Sequence, residues 1–258
     1  MFRKSFLLFA AVFVSAIPVV AAEEDDTQPR YREETAKIEK IAPRQIAEQT
    51  ELITAAPDNI RAYSRRGDAY FFSGQYDKAV ADYEKMVEID PAIDRQHWRL
   101  GLAYYYAGRY DKTAEQLGRY HTFDDQDREN GIWIFLANAK AQGVEKAREK
   151  MIRYTKDDRP PLPDVYRMFE GQLTTEELLA KIEAEIKTEQ LPRQAAEQRR
   201  FYVNLYVGLF AEAAKQPKEA REAFLKATDS DWALKAGGGP AYMWHCARLR
   251  LVELDRPK

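Results

Sequence analysis

The chain has 258 residues, 32% of them charged and 45% hydrophobic, the composition of a folded globular chain and not of a disordered or fibrous one. Its formal net charge of −2 at pH 7 lacks the basic excess that phosphate backbones and anionic lipid surfaces attract, so nucleic acid is not an expected partner. A single cysteine, Cys246, excludes a framework of intramolecular disulfides.

In chain order, residues 1–22 read as a secretory signal peptide. Arg3 and Lys4 supply the positive start, residues 6–16 a short apolar run, and Val20-Ala21-Ala22 the small residues before the acidic Glu23-Glu24-Asp25-Asp26. Cleavage after Ala22 removes two positive charges and moves the net charge from −2 to about −4. The competing reading, a retained membrane anchor, is opposed by Pro18 and by the shortness of the apolar run. No other segment is long and apolar enough for a stable membrane span, and no cysteine near residue 22 would carry a lipid. The expected location is therefore exported, periplasmic or secreted, and soluble after cleavage.

Residues 23–30 are polar and unpatterned, a disordered acidic leader. Residues 31–57 are expected to hold N-terminal helices. The first, to Ile41, has alternating charges that suit either a solvated face or an arm forming a homodimer. The second, from Pro43 to Ala56, reads as a lone helix capping a helical stack.

Self-similarity then dominates. Gly67, Tyr70, Gly74, Tyr76 and Asp77 align without gaps on Gly101, Tyr104, Gly108, Tyr110 and Asp111, each pair 34 residues apart. That is the period of tetratricopeptide repeats, which are helical hairpins. Numbered from Ile60, the small Gly67 and Ala79 stand at positions eight and twenty, where two helices must approach closely, and Tyr70 and Tyr83 fill the space beside them. Gly74 permits the turn, and Pro91 ends the second helix.

The same register gives a repeat over residues 60–93, a second over 94–127 and a degenerate third over 128–161, where Phe135 replaces the glycine. Residues 162–200 leave the period after the stiff Arg159-Pro160-Pro161-Leu162-Pro163 and form an irregular helical segment. Within it, Thr174 and Glu177 make a capping box. A last repeat over 201–234 recovers Gly208, Ala220 and Phe224. Gly237-Gly238-Gly239-Pro240 reads as a flexible break before a capping helix over 240–255. The expected fold is all-α: tetratricopeptide-type hairpins stacked into a right-handed solenoid, with irregular helices and a C-terminal cap.

In such a stack the first helix of each hairpin lines the concave face at positions two, five, nine and twelve. These are Arg61, Ser64, Asp68 and Phe71, then Arg95, Trp98, Leu102 and Tyr105, then Glu129, Ile132, Leu136 and Ala139. Aromatic and arginine side chains dominate interface energetics, so Arg61, Phe71, Arg95, Trp98, Leu102 and Tyr105 are the candidate residues for holding a protein or peptide partner. The alternative is that Trp98 and Tyr105 pack on the C-terminal helices, which then fill the groove from within. Nothing points to catalysis, a cofactor or a metal. His97, His121 and His245 are not spaced to share a helical face, the adjacent His245 and Cys246 suit packing, and Gly237 to Gly239 lack the lysine of a phosphate loop.

Four segments resemble the NlpI family of bacterial envelope lipoproteins: residues 101–111; Trp133-Ile134-Phe135-Leu136; Glu170-Gly171-Gln172-Leu173-Thr174 leading into Glu177-Leu178; and Asn204-Leu205-Tyr206-Val207-Gly208. The resemblance spans residues 96–254 and implies an envelope adaptor that brings peptidoglycan hydrolases or proteases together, often as a homodimer. The chain departs from that family in lacking the lipid-anchor cysteine. The resulting expectation is an exported, non-catalytic adaptor, with a self-associating scaffold as the alternative.

Overall fold

A computed structural model of the protein describes residues 29–156 and 158–256. The expected signal peptide and nearly all of the acidic leader lie outside them. Thirteen α-helices and one 3₁₀ turn account for the regular structure, with no strand among the described residues.

The chain starts with α1 (Arg30–Ala55), one continuous helix. Pro43 sits inside it, so the expected pair of separate helices is corrected. A proline within a helix forfeits one backbone hydrogen bond, but both halves of α1 are held by other elements. Its first half is pinned to the C-terminal helices by Arg30, Tyr31 and Thr35, and its second half packs on α2.

Two hairpins come next, α2 (Ile60–Phe72) with α3 (Tyr76–Ile89), and α4 (Trp98–Tyr106) with α5 (Tyr110–His121). The expected close approaches hold them together. A Cβ added to Gly67 would lie 2.6 Å from the Tyr83 ring, and one added to Gly101 would lie 2.5 Å from Leu117. Gly74 and Gly108 end the first helices with φ of 75° and 73°, and the amides of Gln75 and Arg109 close each turn on the carbonyls of Tyr70 and Tyr104 at 2.8 Å. Between the hairpins, residues Pro91–Gln96 form the 3₁₀ turn. The α-helical part of the second repeat therefore starts at Trp98, later than its period implies.

The third unit is α6 (Arg128–Gln142) with only a short α7 (Val144–Glu149). Phe135 explains the truncation. Occupying the position where glycine would admit a second helix, its ring packs on Phe169 at 5.0 Å, in α8 (Leu162–Glu170). Gly131 takes over the close approach, with Tyr154 2.5 Å from its would-be Cβ.

Beyond α8 lie α9 (Thr175–Thr188), which begins with the Thr174–Glu177 capping box, and α10 (Arg193–Ala213) with α11 (Pro217–Asp229). In this last hairpin a Cβ on Gly208 would stand 2.6 Å from Phe224. α10 begins at Arg193, so the end of the expected irregular segment is already part of the repeat's first helix.

After the short α12 (Trp232–Ala236), α13 (Gly238–Leu254) starts inside the run expected to be a flexible break: Gly237 caps it with φ of 70°. It packs on the last hairpin, as a capping helix does, and reaches further than that hairpin. Tyr242, Met243, Trp244, Cys246, Ala247, Leu249 and Leu251 are all buried, as is Arg248, which bonds to Thr35 and to the carbonyl of Phe72, so the helix is covered on every side and not along one face. It touches α11, α10 and α1. It also reaches α2 and α4, because Tyr242 stacks on Phe71 at 4.8 Å and meets Trp98 edge-on at 5.0 Å. The Tyr106 hydroxyl donates to the carbonyl of Cys246 at 2.9 Å. With α1 joined to α2 at one end and to α11 and α13 at the other, the two ends of the repeat array are tied together around α13.

Candidate functional site

The six residues singled out by the repeat register do not form one surface. Phe71 and Leu102 are 0% and 1% exposed and belong to the core. Tyr105 is also buried, its ring against Trp133 at 5.2 Å and Tyr110 at 5.6 Å. Arg61 is exposed on α2, and Arg95 is exposed in the 3₁₀ turn rather than on a concave helical face. Trp98, half-buried at the start of α4, keeps one side on Tyr242 and another on a cavity that Leu102 also lines. The register places side chains relative to an idealised empty groove, whereas here α13 occupies much of it.

Other concave positions are already committed. Arg99 grips both oxygens of Asp68 at 2.7 Å and reaches Ser64 at 3.0 Å, while Tyr83 donates to Asp68 at 2.6 Å. This lock between the first two hairpins was missed from the sequence, because Arg99 falls outside the four register positions.

What remains open is a cavity of about 320 Å³. Trp98, Tyr120 and Trp133 give it aromatic walls, and Gly239 and Met243 of the first turns of α13 close one side. Asp124, Asp127 and Glu129 line it with carboxylates, and Arg159 is the one cation among its lining residues. Asp127 is the N-cap of α6, its side chain accepting from the Glu129 amide at 3.1 Å, so it lies where the helix dipole favours a negative group. Glu129, in the first turn of that helix, accepts from the Tyr206 hydroxyl and from Arg159 Nη2 at 2.5 Å. Arg159 also lies 3.1 Å from Asp158 and 3.7 Å from Asp127.

Burial pushes the Glu129 carboxyl up to about 7; Arg159 opposes that rise and Asp127 adds to it. Burial also raises Asp127, again against Arg159. Raised carboxyls in a cavity accompany acid–base catalysis in many enzymes, but both oxygens of Glu129 are engaged by groups that position it. The cavity's lining residues include no serine, threonine, cysteine or lysine to act as a nucleophile beside it, and Cys246 lies buried in α13, its thiol pushed up to about 12 by burial. No group of three or more His, Cys, Asp or Glu among the described residues is arranged to hold a metal ion.

Two of the wall residues carry polar atoms without a partner. Asn130 donates through Nδ2 to the carbonyl of Leu117 at 3.0 Å and leaves Oδ1 unpaired, and Trp133 leaves Nε1 unpaired. Both are buried.

Residues 67–108, from the Gly67 close approach to the Gly108 turn, match the family model described as TPR repeat. The chain carries a tetratricopeptide repeat. The match covers the first of the two aligned segments and the second as far as Gly108, and repeats of this kind usually mediate contacts between proteins. A search of curated proteins returns no match to the chain. No helix among the described residues is long and apolar enough to cross a membrane.

Proposed function

We propose that the protein is an exported, non-catalytic adaptor that captures a segment of a partner polypeptide, as the resemblance to the NlpI family of envelope proteins also implies. The observation that carries this reading is the cavity left open beside Trp98 in a fold whose matched repeat is of an interaction type. Since α13 fills the deeper groove, the partner segment is short or engages mainly the rim, where Arg61 and Arg95 are exposed.

The test is a pull-down from cell-envelope extract with residues 23–258, beside an Arg95→Glu, Trp98→Ala double variant matched in helicity and oligomeric state. Recovery of one defined protein by the wild type and not by the variant is the expected result. Equal recovery by both sinks the site. A second reading, a self-associating scaffold, draws on the filled groove and on Ile41 and Leu52, which stand 47% and 45% exposed on α1. A mass of two chains in light scattering, lost on changing Ile41 and Leu52 to serine, would favour it.

A further inference from the structure

The cavity's chemistry is specific enough to narrow what it accepts, and the inference rests on the adaptor reading. We propose that the cavity between α4, α5, α6 and the start of α13 takes the side-chain ammonium of a lysine presented by the partner segment.

Charge is the first ground. Three lining carboxylates face one lining guanidinium, an imbalance of two negative charges when all are ionised. The lining cation, Arg159, is held by Glu129 and Asp158 and lies 3.7 Å from Asp127. Asp124 uses one oxygen to accept from the amide of Gln126 at 3.0 Å and makes no ion pair with Arg159.

Shape is the second ground. Trp98, Tyr120 and Trp133 offer apolar faces to a methylene stem and electron-rich rings to its charged head.

Ionisation couples to this site. The groups facing Glu129 are Arg159 and Asp158 from the segment before α8, Asp127 from its own helix cap, Tyr206 with Tyr202 from α10, Tyr120 from α5 and Cys246 from α13. A bound ammonium favours the ionised carboxylate, so binding should tighten as Glu129 loses its proton near pH 7.

The experiment is an NMR titration of the tryptophan indole resonances, on protein produced from the full coding sequence. The probes are a blocked pentapeptide of alanines with a central lysine, its norleucine counterpart, and cadaverine. The lysine peptide is expected to bind at least about tenfold more tightly than the norleucine one and to gain about tenfold between pH 6 and pH 8. Asp124→Asn should weaken it about threefold or more, and Glu129→Gln should flatten the pH profile. Asp124 is partly exposed, so its variant should fold even if the Glu129 variant does not. Equal affinity for the two peptides, or no change on Asp124→Asn, overturns the proposal. Cadaverine binding more tightly than the lysine peptide also overturns it, in favour of a free amine ligand. A partner captured from envelope extract whose retention ignores Asp124→Asn leaves the adaptor reading standing and removes this one.

Discussion

His97 shows how much one side chain can do in this fold. It caps α4, its Nδ1 accepting from the Leu100 amide at 3.2 Å, and it is buried beside Tyr83. Burial, with Arg99 nearby, lowers its pKa to about 4. Only the neutral ring can accept that hydrogen bond. An unfolded histidine titrates near 6.5, so between pH 6.5 and 4 the unfolded chain takes up a proton that the folded one refuses, and stability falls with pH. The full loss from this one group by pH 4 is about 3 kcal/mol. Asn at position 97 caps without titrating. Urea unfolding of wild type and His97→Asn should therefore converge as the pH drops from 7 to 4, with the wild type losing about 3 kcal/mol more; parallel lines would show that His97 does not carry the effect. His245, lowered to about 3 by burial, acts in the same direction in both proteins, and Glu129 in the opposite one.

The residues legible in the sequence are those whose role is set within one hairpin. Gly67 and Gly101 sit under Tyr83 and Leu117 because the repeat fixes both partners sixteen positions apart. The turn position shows where the pattern is geometric and not chemical. In the last hairpin it is Lys215, with φ of 62°, and the Gln216 amide still closes on the Ala211 carbonyl at 2.8 Å. Arg99 and Asn130 were not legible, since their partners belong to other hairpins, and neither was Arg159, which reaches back from the end of the degenerate repeat to Glu129 at its start. The register singles out Trp98 as an open-groove residue; the ring borders the cavity on one side and packs on Tyr242 of α13 on another.

At the scale of elements, the departures all come from competition between helices. Phe135 excludes a long α7 and admits α8, and α1 stays whole across Pro43 because its two halves are anchored separately. Helix α13 illustrates the limit of reading by pattern. Its apolar residues lack a single face, which fits a surrounded helix as well as a misjudged one, and only the rings it meets decide. Tyr242 is the centre of that contact, touching Phe71, Phe72 and Trp98 within 5.0 Å. Tyr242→Ala should cost about 3–5 kcal/mol by the general cost of truncating a buried aromatic ring, and it should also uncover the groove. The specific sign is a red shift of tryptophan emission that is absent in Trp98→Phe, Tyr242→Ala. A destabilised protein whose emission stays put would mean that the neighbouring helices close over the gap.

The whole molecule is tied at one corner, where the chain's first and last helices meet. Asp255, directly after α13, accepts from the Tyr31 hydroxyl and from Arg32 at 3.2 Å, both in α1, and pairs with Arg221 of α11 at 2.9 Å. These partners hold its carboxyl down at about 2 despite the opposing effect of burial. A carboxyl lowered in this way stabilises the fold above its unfolded value of 3.8, and that stabilisation disappears as pH falls towards 2. An open stack of hairpins would have no such tie, and its terminal units would fray independently. Asp255→Asn removes the charge while keeping the shape. If the tie is local, amide exchange in the first half of α1 should accelerate by about 5–30-fold, the equivalent of 1–2 kcal/mol, while exchange in α2 to α5 stays at the wild-type rate. Uniform acceleration through every hairpin would instead mean that the array opens as one unit, with α1 and α13 inseparable from the repeats. On the adaptor reading proposed above, a partner segment longer than the cavity enters the groove only where α13 is able to move, and α1 joins α11 and α12 in holding α13 in place.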